Sequence, residues 1–431
     1  MLEAFNFNDV LLQPKFTDIK SKENIDIKTK LTKNISLNIP FISSNIETVT
    51  EANMAIALAE EGGIGIIHSF FSIEDQVKEI IKVKRAHNFI IQDPYTINLD
   101  STVLEVIETM KIYNIESLIV VDDYKKLKGI VSQRDLLFQE DEIPLSQVMT
   151  PIEKLIYKKA NSFSDVDFEE AKKIIMKNKL EKLPLIDDKG YITGLITAKD
   201  IKKRLDFSNA VKDENAKLRV GAAVEVNGDF FERSIELIKA GVDVLLLDSS
   251  YGHSQDLLDA ILKIKSNAPK IDLIAGNIST KQGAIDVIKA GADAIKCGSS
   301  SYKKLSEIGV GVPQLTAIMD CCDVATYEDI PVITGDSIKY SGDIIKALAA
   351  GSSSIMLGEL FNGYKESPKI LENNINYSKD EYDKNTFSKG SIKNYIKYLV
   401  DNLKTGMIYL GVNCIEDIQK NAEFIKLSKT S

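Results

Sequence analysis

Short apolar runs alternate along much of the chain with amphipathic stretches of about ten residues, the pattern of strands feeding helices. The run Ile39–Ser43, a helix over 50–60, the Gly62-Gly63 stop and the run Ile64–His68 predict a strand–helix–strand unit. KQGAIDVIKA (281–290) predicts a helix, Gly291-Ala292-Asp293 turns the chain, and Ala294-Ile295-Lys296 reads as a short buried strand. In VDVLLLDSSYGHS (242–254) the VLLL run is a continuously buried strand, with Asp248 at its C-terminal end. Loops that follow such strands are where an α/β barrel keeps its chemistry, so the loop from Lys296 to Gln314 draws notice. It offers Ser299, Ser300, Ser301 and Tyr302, has no histidine, and its single thiol, Cys297, stands at the strand end.

The stretch from about 93 to 203 repeats itself. LIVVDD (118–123) recurs as LPLIDD (183–188), and GIVSQRDL (129–136) as GLITAKDI (194–201), with the same spacing in both cases. Each half reads helix, strand, Asp-Asp turn, strand, helix, and such units stack to bury faces that neither covers alone. The repeat resembles a tandem cystathionine-β-synthase (CBS) pair, with halves at about 93–140 and 148–203. In CBS pairs a hydroxyl and a carboxylate in S/T-x-x-D meet a nucleotide ribose. The matching residues here are Ser132 with Asp135 and Thr197 with Asp200. A plain helix N-cap uses the same spacing, so both readings stay open.

Composition narrows the class. The chain has 431 residues, room for two or three domains, with 44% hydrophobic and 27% charged residues, ordinary for a soluble protein. A formal charge of −9 argues against nucleic acid or an anionic membrane as main partner. No apolar run reaches membrane-spanning length, and MLEAFNFNDV lacks a basic-then-apolar signal pattern. Cys297, Cys321, Cys322 and Cys414 lack metal-ligand spacing, which points to reduced thiols, a cytoplasmic protein and no metal site. Cys321 and Cys322 read as helix packing, and His68 and His253 as packed or capping residues at strand ends. His87 reads as part of a solvated basic helix end.

AGNIST (275–280), GADAIKCG (291–298), GVGVPQLTAI (309–318) and SGDIIKALAAG (341–351) resemble the IMP dehydrogenase / GMP reductase family. SNAVKDENAKLRVGAAV (208–224) and the tail 403–428 match it too. The resemblance implies a (β/α)8 TIM barrel, here 1–92 plus 204–431, interrupted by the tandem CBS (Bateman) domain at 93–203. It implies NAD as cofactor, purine nucleotides as ligands and a homo-oligomer, a tetramer in the family. On the dinucleotide side it assigns Asp248, Ser249, Ser250, Asn277 and Lys296, with Tyr251 in place of a family histidine. On the nucleotide side it assigns Ser44, Gly358 and Asp336, and for the CBS pair an adenine or guanine nucleotide. The family's monovalent-cation site is not assigned here.

Four departures fall on the purine side. Tyr302 takes the place of the cysteine that attacks C2 of the purine in the family, in a shortened loop whose nearest thiol is Cys297. Gly335 takes the place of the ribose-binding aspartate, with Asp336 one residue late. Glu359 follows Gly358 where the family has a phosphate-contacting serine. Nothing between Pro368 and Lys389 resembles the family's water-activating flap. No catalytic residue is assigned, and whether the chain is an enzyme stays open among three readings. These are a divergent, catalytically impaired paralogue with a nucleotide-sensing CBS pair, a working IMP dehydrogenase, or an NAD(P)-dependent oxidoreductase on another ligand.

Overall fold

The computed structural model describes residues 3–86, 90–91, 93–113, 115–162, 165–249, 252–298, 307–335, 337–368 and 389–428. The chain divides into two compact units, Met1–Ala86 with Asn209–Ser431, and His87–Ser208.

The first unit is a closed barrel of eight parallel strands: β1 (Phe41–Ser43), β2 (Ile64–Ile67), β3 (Gly221–Glu225), β4 (Val244–Asp248), β5 (Asp272–Ile278), β6 (Ala294–Cys297), β7 (Val332–Thr334) and β8 (Ser354–Leu357). A helix follows each strand: α1 (Ala52–Glu61), α2 (Ile73–Arg85), α3 (Phe230–Lys239), α4 (Gln255–Asn267), α5 (Lys281–Ala290), α6 (Gln314–Ala325), α7 (Ser341–Ala349) and α8 (Ile392–Leu410). The α/β barrel that the family resemblance implied is therefore the fold, and the insert leaves between α2 and β3. Local signals set the helix ends. Thr280 Oγ1 accepts from Gly283 N at the start of α5, and Gly291, at φ +109°, ends it in the left-handed region that favours glycine.

Side chains of a strand alternate between its two faces, and the barrel sorts them accordingly. Ile42, Ile64, Ile66, Ala223, Val244, Leu246, Ile274, Ala294, Ile333 and Met356 fill the lumen. Their strand neighbours, among them Phe41, Ile67, Leu245, Ala275, Ile295, Cys297 and Leu357, pack against the helices. A hairpin pairing Thr29–Lys30 with Ser36–Leu37 adds Leu31, Ile35 and Leu37 to the lumen cluster. Near the chain ends Val10–Leu12 pairs antiparallel with Phe424–Lys426. Where the insert leaves and returns, Lys84 Nζ bonds to Asp213 (3.0 Å) and Asp243 (2.6 Å), and Arg219 reaches Asp243 at 3.3 Å. The Lys84 and Asp243 side chains are 8% and 6% exposed.

The second unit repeats in detail. Helix Val103–Tyr113 matches Phe168–Asn178, strand Ser117–Val121 matches Lys182–Ile186, and Leu127–Ser132 matches Ile192–Thr197. Ser117 pairs with Ser132 as Lys182 pairs with Thr197, and both hairpins slip register at the same place, Val120/Val121 and Leu185/Ile186. The halves meet through Lys126 and Tyr191 and share a core of Ile119, Val121, Leu127, Ile186 and Leu195. One expectation fails. The closing helix forms in the second half (Ala198–Asp206), but residues 133–138 of the first are turns. There Phe138 takes φ +65°, and the chain bends back so that Asp141 and Ile143 carbonyls accept from Leu104 N and Val103 N. That stretch satisfies the orphan donors of its own first helix instead of continuing as one.

Candidate functional site

The C-terminal ends of the strands form the barrel mouth, and the inward register decides what faces it. On β4 the inward series Val244, Leu246 continues to Asp248; on β6, Ala294 continues to Lys296. These two meet, with Lys296 Nζ 3.4 Å from Asp248 Oδ2 and 3.5 Å from Oδ1. The Lys296 side chain is 3% exposed and that of Asp248 25%, so the pair sits just beneath the surface. Asn277 Nδ2 donates to Asp248 Oδ1 at 3.0 Å, and Asn45 Nδ2 donates to Oδ2 at 2.7 Å. This bond ties the β1 end to β4. Ser249 is buried, and its N–H donates to Gly276 O at 2.8 Å. Gly252 has to be glycine, because a Cβ there would lie 1.5 Å from Asn277 O. The structure thus gathers Asp248, Ser249, Asn277 and Lys296, while Ser250 and Tyr251 lie outside the described residues.

The purine-side residues distribute differently. Ser44 follows β1 in the inward register of Ile42; it is fully buried, and its Oγ has no hydrogen-bond partner among the described residues. Gly335 continues the inward register of Ile333, and a Cβ there would lie 3.7 Å from Lys296 Cε. Gly358 is buried at the end of β8, and Glu359 is exposed. Tyr302 and Asp336 lie outside the described residues, as does most of the span after Pro368. The stem of that span is fastened: Lys389 N donates to Gly363 O, and Lys365 N to Gly390 O.

Cys297 faces away from the mouth. It alternates with Lys296 and packs in the helix layer, with 0% exposure. Burial, and next the neighbouring Cys321 thiol, push its pKa well above the ordinary 9.0. A thiol that holds its proton and lies behind the strand is a packing group and a poor nucleophile. Its carbonyl is held by Gln314 Nε2 at 3.0 Å, tying β6 to α6. Cys321 and Cys322 are buried on α6, as the packing reading expects.

His253 and His68 part company. His253 Nε2 bonds to Asp286 at 2.8 Å, and that bond holds the Asp286 carboxyl below its usual range. His68 was read as a packed or capping residue. It stacks on Phe71 (4.3 Å between centroids) yet has no partner for either ring nitrogen among the described residues. Glu225, absent from the sequence assignments, ends the inward register of β3 directly beside Asp248. The alternation of Gly221, Ala223 and Glu225 carried that signal. His87 lies outside the described residues.

In the repeat unit each hydroxyl lies on its own carboxylate. Ser132 Oγ donates to Asp135 Oδ2 at 2.8 Å and Thr197 Oγ1 to Asp200 Oδ2 at 2.5 Å; Thr197 also caps the helix Ala198–Asp206. Among the described residues no group of three or more His, Cys, Asp or Glu side chains forms a metal site, and no helix is long and apolar enough to cross a membrane.

The IMP dehydrogenase / GMP reductase domain matches residues 4–385. Inosine-5'-monophosphate dehydrogenase of Nitrosopumilus maritimus (strain SCM1) is 42% identical over 464 residues, covering 99% of this chain and 96% of the relative. That of Aquifex aeolicus (strain VF5) is 41% identical, covering 99% and 93%. The aligned span of 464 residues exceeds the chain's 431, so the Nitrosopumilus relative carries residues that this chain lacks. Among solved structures, GMP reductase from Trypanosoma brucei in complex with guanosine 5'-triphosphate superposes with a TM-score of 0.87 at 32% identity, covering 99% of this chain and 98% of that one. From barrel, mouth and comparisons alike, the chain belongs to the IMP dehydrogenase / GMP reductase family.

Proposed function

We propose that this chain is a catalytically impaired member of its family, which binds purine and nicotinamide nucleotides at the barrel mouth without the covalent purine step. The observation that carries the reading is the placement of Cys297. It is the thiol nearest the strand end, and it points into the helix layer with its proton held by burial. Without a thiolate at the mouth, attack at C2 of a purine has no nucleophile of the family's kind. Gly335 supports the same reading, since an inward glycine supplies no carboxylate for ribose hydroxyls. In this reading the insert is a CBS pair that senses an adenine or guanine nucleotide through Ser132, Asp135, Thr197 and Asp200, and the barrels assemble as a tetramer.

The site fits a nicotinamide dinucleotide. Asp248 can accept from ribose hydroxyls, Lys296 and Asn277 lie within hydrogen-bond reach of it, and Ser44 offers a buried hydroxyl without a partner. Bound NAD would bring a hydride acceptor. The chain's own residues would hold the ribose at Asp248 and keep a cation beside it at Lys296. This retained set favours a second reading, an NAD(P)-dependent oxidoreductase on another ligand. A working IMP dehydrogenase is the reading the placement of Cys297 speaks against.

Calorimetric titration of the full chain with NAD+, IMP, ATP and GTP tests the proposal. NAD+ binding abolished by Asp248→Ala, and ATP or GTP binding abolished by Asp135→Ala or Asp200→Ala, is the expected result. If none of the four binds, the reading fails.

A further inference from the structure

The mouth holds a buried group that nothing above employs. His68 follows β2 in the inward register of Ile64 and Ile66 and is 1% exposed. Its backbone is fixed, because Gln76 Nε2 donates to His68 O at 3.0 Å, and its ring lies on Phe71. Neither Nδ1 nor Nε2 has a hydrogen-bond partner among the described residues, and the nearest carboxylate, Glu51, is 3.8 Å from Nε2, beyond hydrogen-bond reach. On the adjacent strand Ser44, level with Ile66 by the β1–β2 register, presents a buried Oγ that also lacks a partner among the described residues. Ser43 and Ser354 also keep buried hydroxyls without a partner among the described residues, so the serine alone decides nothing; an imidazole with both nitrogens unbonded in the inward register is the stronger sign of a ligand. A purely packing role would be served at least as well by phenylalanine.

Resting on the reading that the mouth binds nucleotides, we propose that His68 recognises a planar amide edge of the ligand. A neutral imidazole offers one donor and one acceptor, and an amide edge returns one of each. Two ligands carry that chemistry: the nicotinamide carboxamide of NAD+, and the N1–H/C6=O lactam of IMP. Phe71 covers one face of the ring, so an analogue without the edge leaves the imidazole unpaired.

The test compares the full chain with His68→Phe, which keeps a flat ring on Phe71 and removes both nitrogens. Each is titrated with NAD+, ADP-ribose, IMP and the purine ribonucleotide lacking the 6-oxo group. Expected is a loss of about tenfold or more for one amide-bearing ligand, with its amide-free analogue unchanged. NAD+ losing against ADP-ribose assigns the carboxamide, and IMP losing against its 6-deoxo analogue assigns the lactam. The thermal midpoint of His68→Phe should equal or exceed that of the natural chain, since two unbonded polar atoms have gone. His68→Asn, which keeps a donor and an acceptor, should retain part of the affinity and serves if the phenylalanine variant does not fold. A His68→Phe chain that is less stable yet binds all four ligands unchanged overturns the inference, as does equal weakening of a ligand and its analogue. Binding of none of the four by the natural chain overturns the nucleotide reading itself, and this inference with it.

Discussion

Removing the Asp248 carboxylate should destabilise the barrel through Lys296 more than through the hydrogen bonds that vanish with it. Asp248→Ala takes away the acceptor of Asn45 and Asn277 and leaves the Lys296 ammonium, 3% exposed, without its carboxylate. Stranding one member of a buried pair costs about 3–5 kcal/mol. Asp248 is 25% exposed and Lys296 has a further interaction, so solvent and neighbours recover part of that, leaving about 2–3 kcal/mol. Lys296→Met should cost only about 1 kcal/mol, because the carboxylate keeps two amide donors and an open side. The double variant should then be more stable than the sum of the single losses implies, by about 1–2 kcal/mol. Urea unfolding followed by far-ultraviolet circular dichroism measures this in a chain without tryptophan. Single losses that add to within about 0.5 kcal/mol would refute the pair as an energetic unit.

At the root of the insert, Lys84→Met should cost about 3 kcal/mol at neutral pH, because the Asp243 side chain is 6% exposed. Burial already holds the Asp243 carboxyl above its usual range, so the cost should shrink as pH falls and Asp243 takes up a proton; a loss independent of pH contradicts this. Because burial raises the Cys297 thiol in the folded state, its contribution is full below the ordinary 9.0 and is lost as pH rises above that value. Stability should therefore decline at alkaline pH less steeply in Cys297→Ala than in the natural chain, and equal slopes would count against it. Gly335→Asp places an inward carboxylate whose Cβ lies near Lys296 Cε, and should tighten IMP binding about tenfold by calorimetry. No change would remove the missing aspartate from the account.

The strand–helix units were legible because their signals are local: buried runs such as Val244–Leu247, and glycine stops such as Gly62 and Gly291; that they close into a barrel came from the family resemblance. The repeat was legible because two halves with the same spacing fold to the same register, down to the shared slip. The outward aspect of Cys297 could be read from Ala294-Ile295-Lys296-Cys297 once Lys296 is placed in the lumen. What sequence could not show depends on distant partners. Asn45 and Asp248 are 203 positions apart, yet theirs is the shortest bond to that carboxylate. The first repeat's missing helix was hidden because QRDLLFQE carries ordinary helical residues, and the bonds to Val103 and Leu104 that bend it away are tertiary. His68 looked like any strand-end histidine. That its two nitrogens find no partner among the described residues emerges only from the folded neighbourhood.

The central claim is that this family barrel lacks the covalent nucleophile of the purine step. Steady-state NADH absorbance with purified full-length chain, IMP and NAD+ tests it most directly. The account expects no turnover above background, in the natural chain and in Cys297→Ala alike. Turnover at an ordinary enzymatic rate, about 1 s−1 or faster, would contradict it.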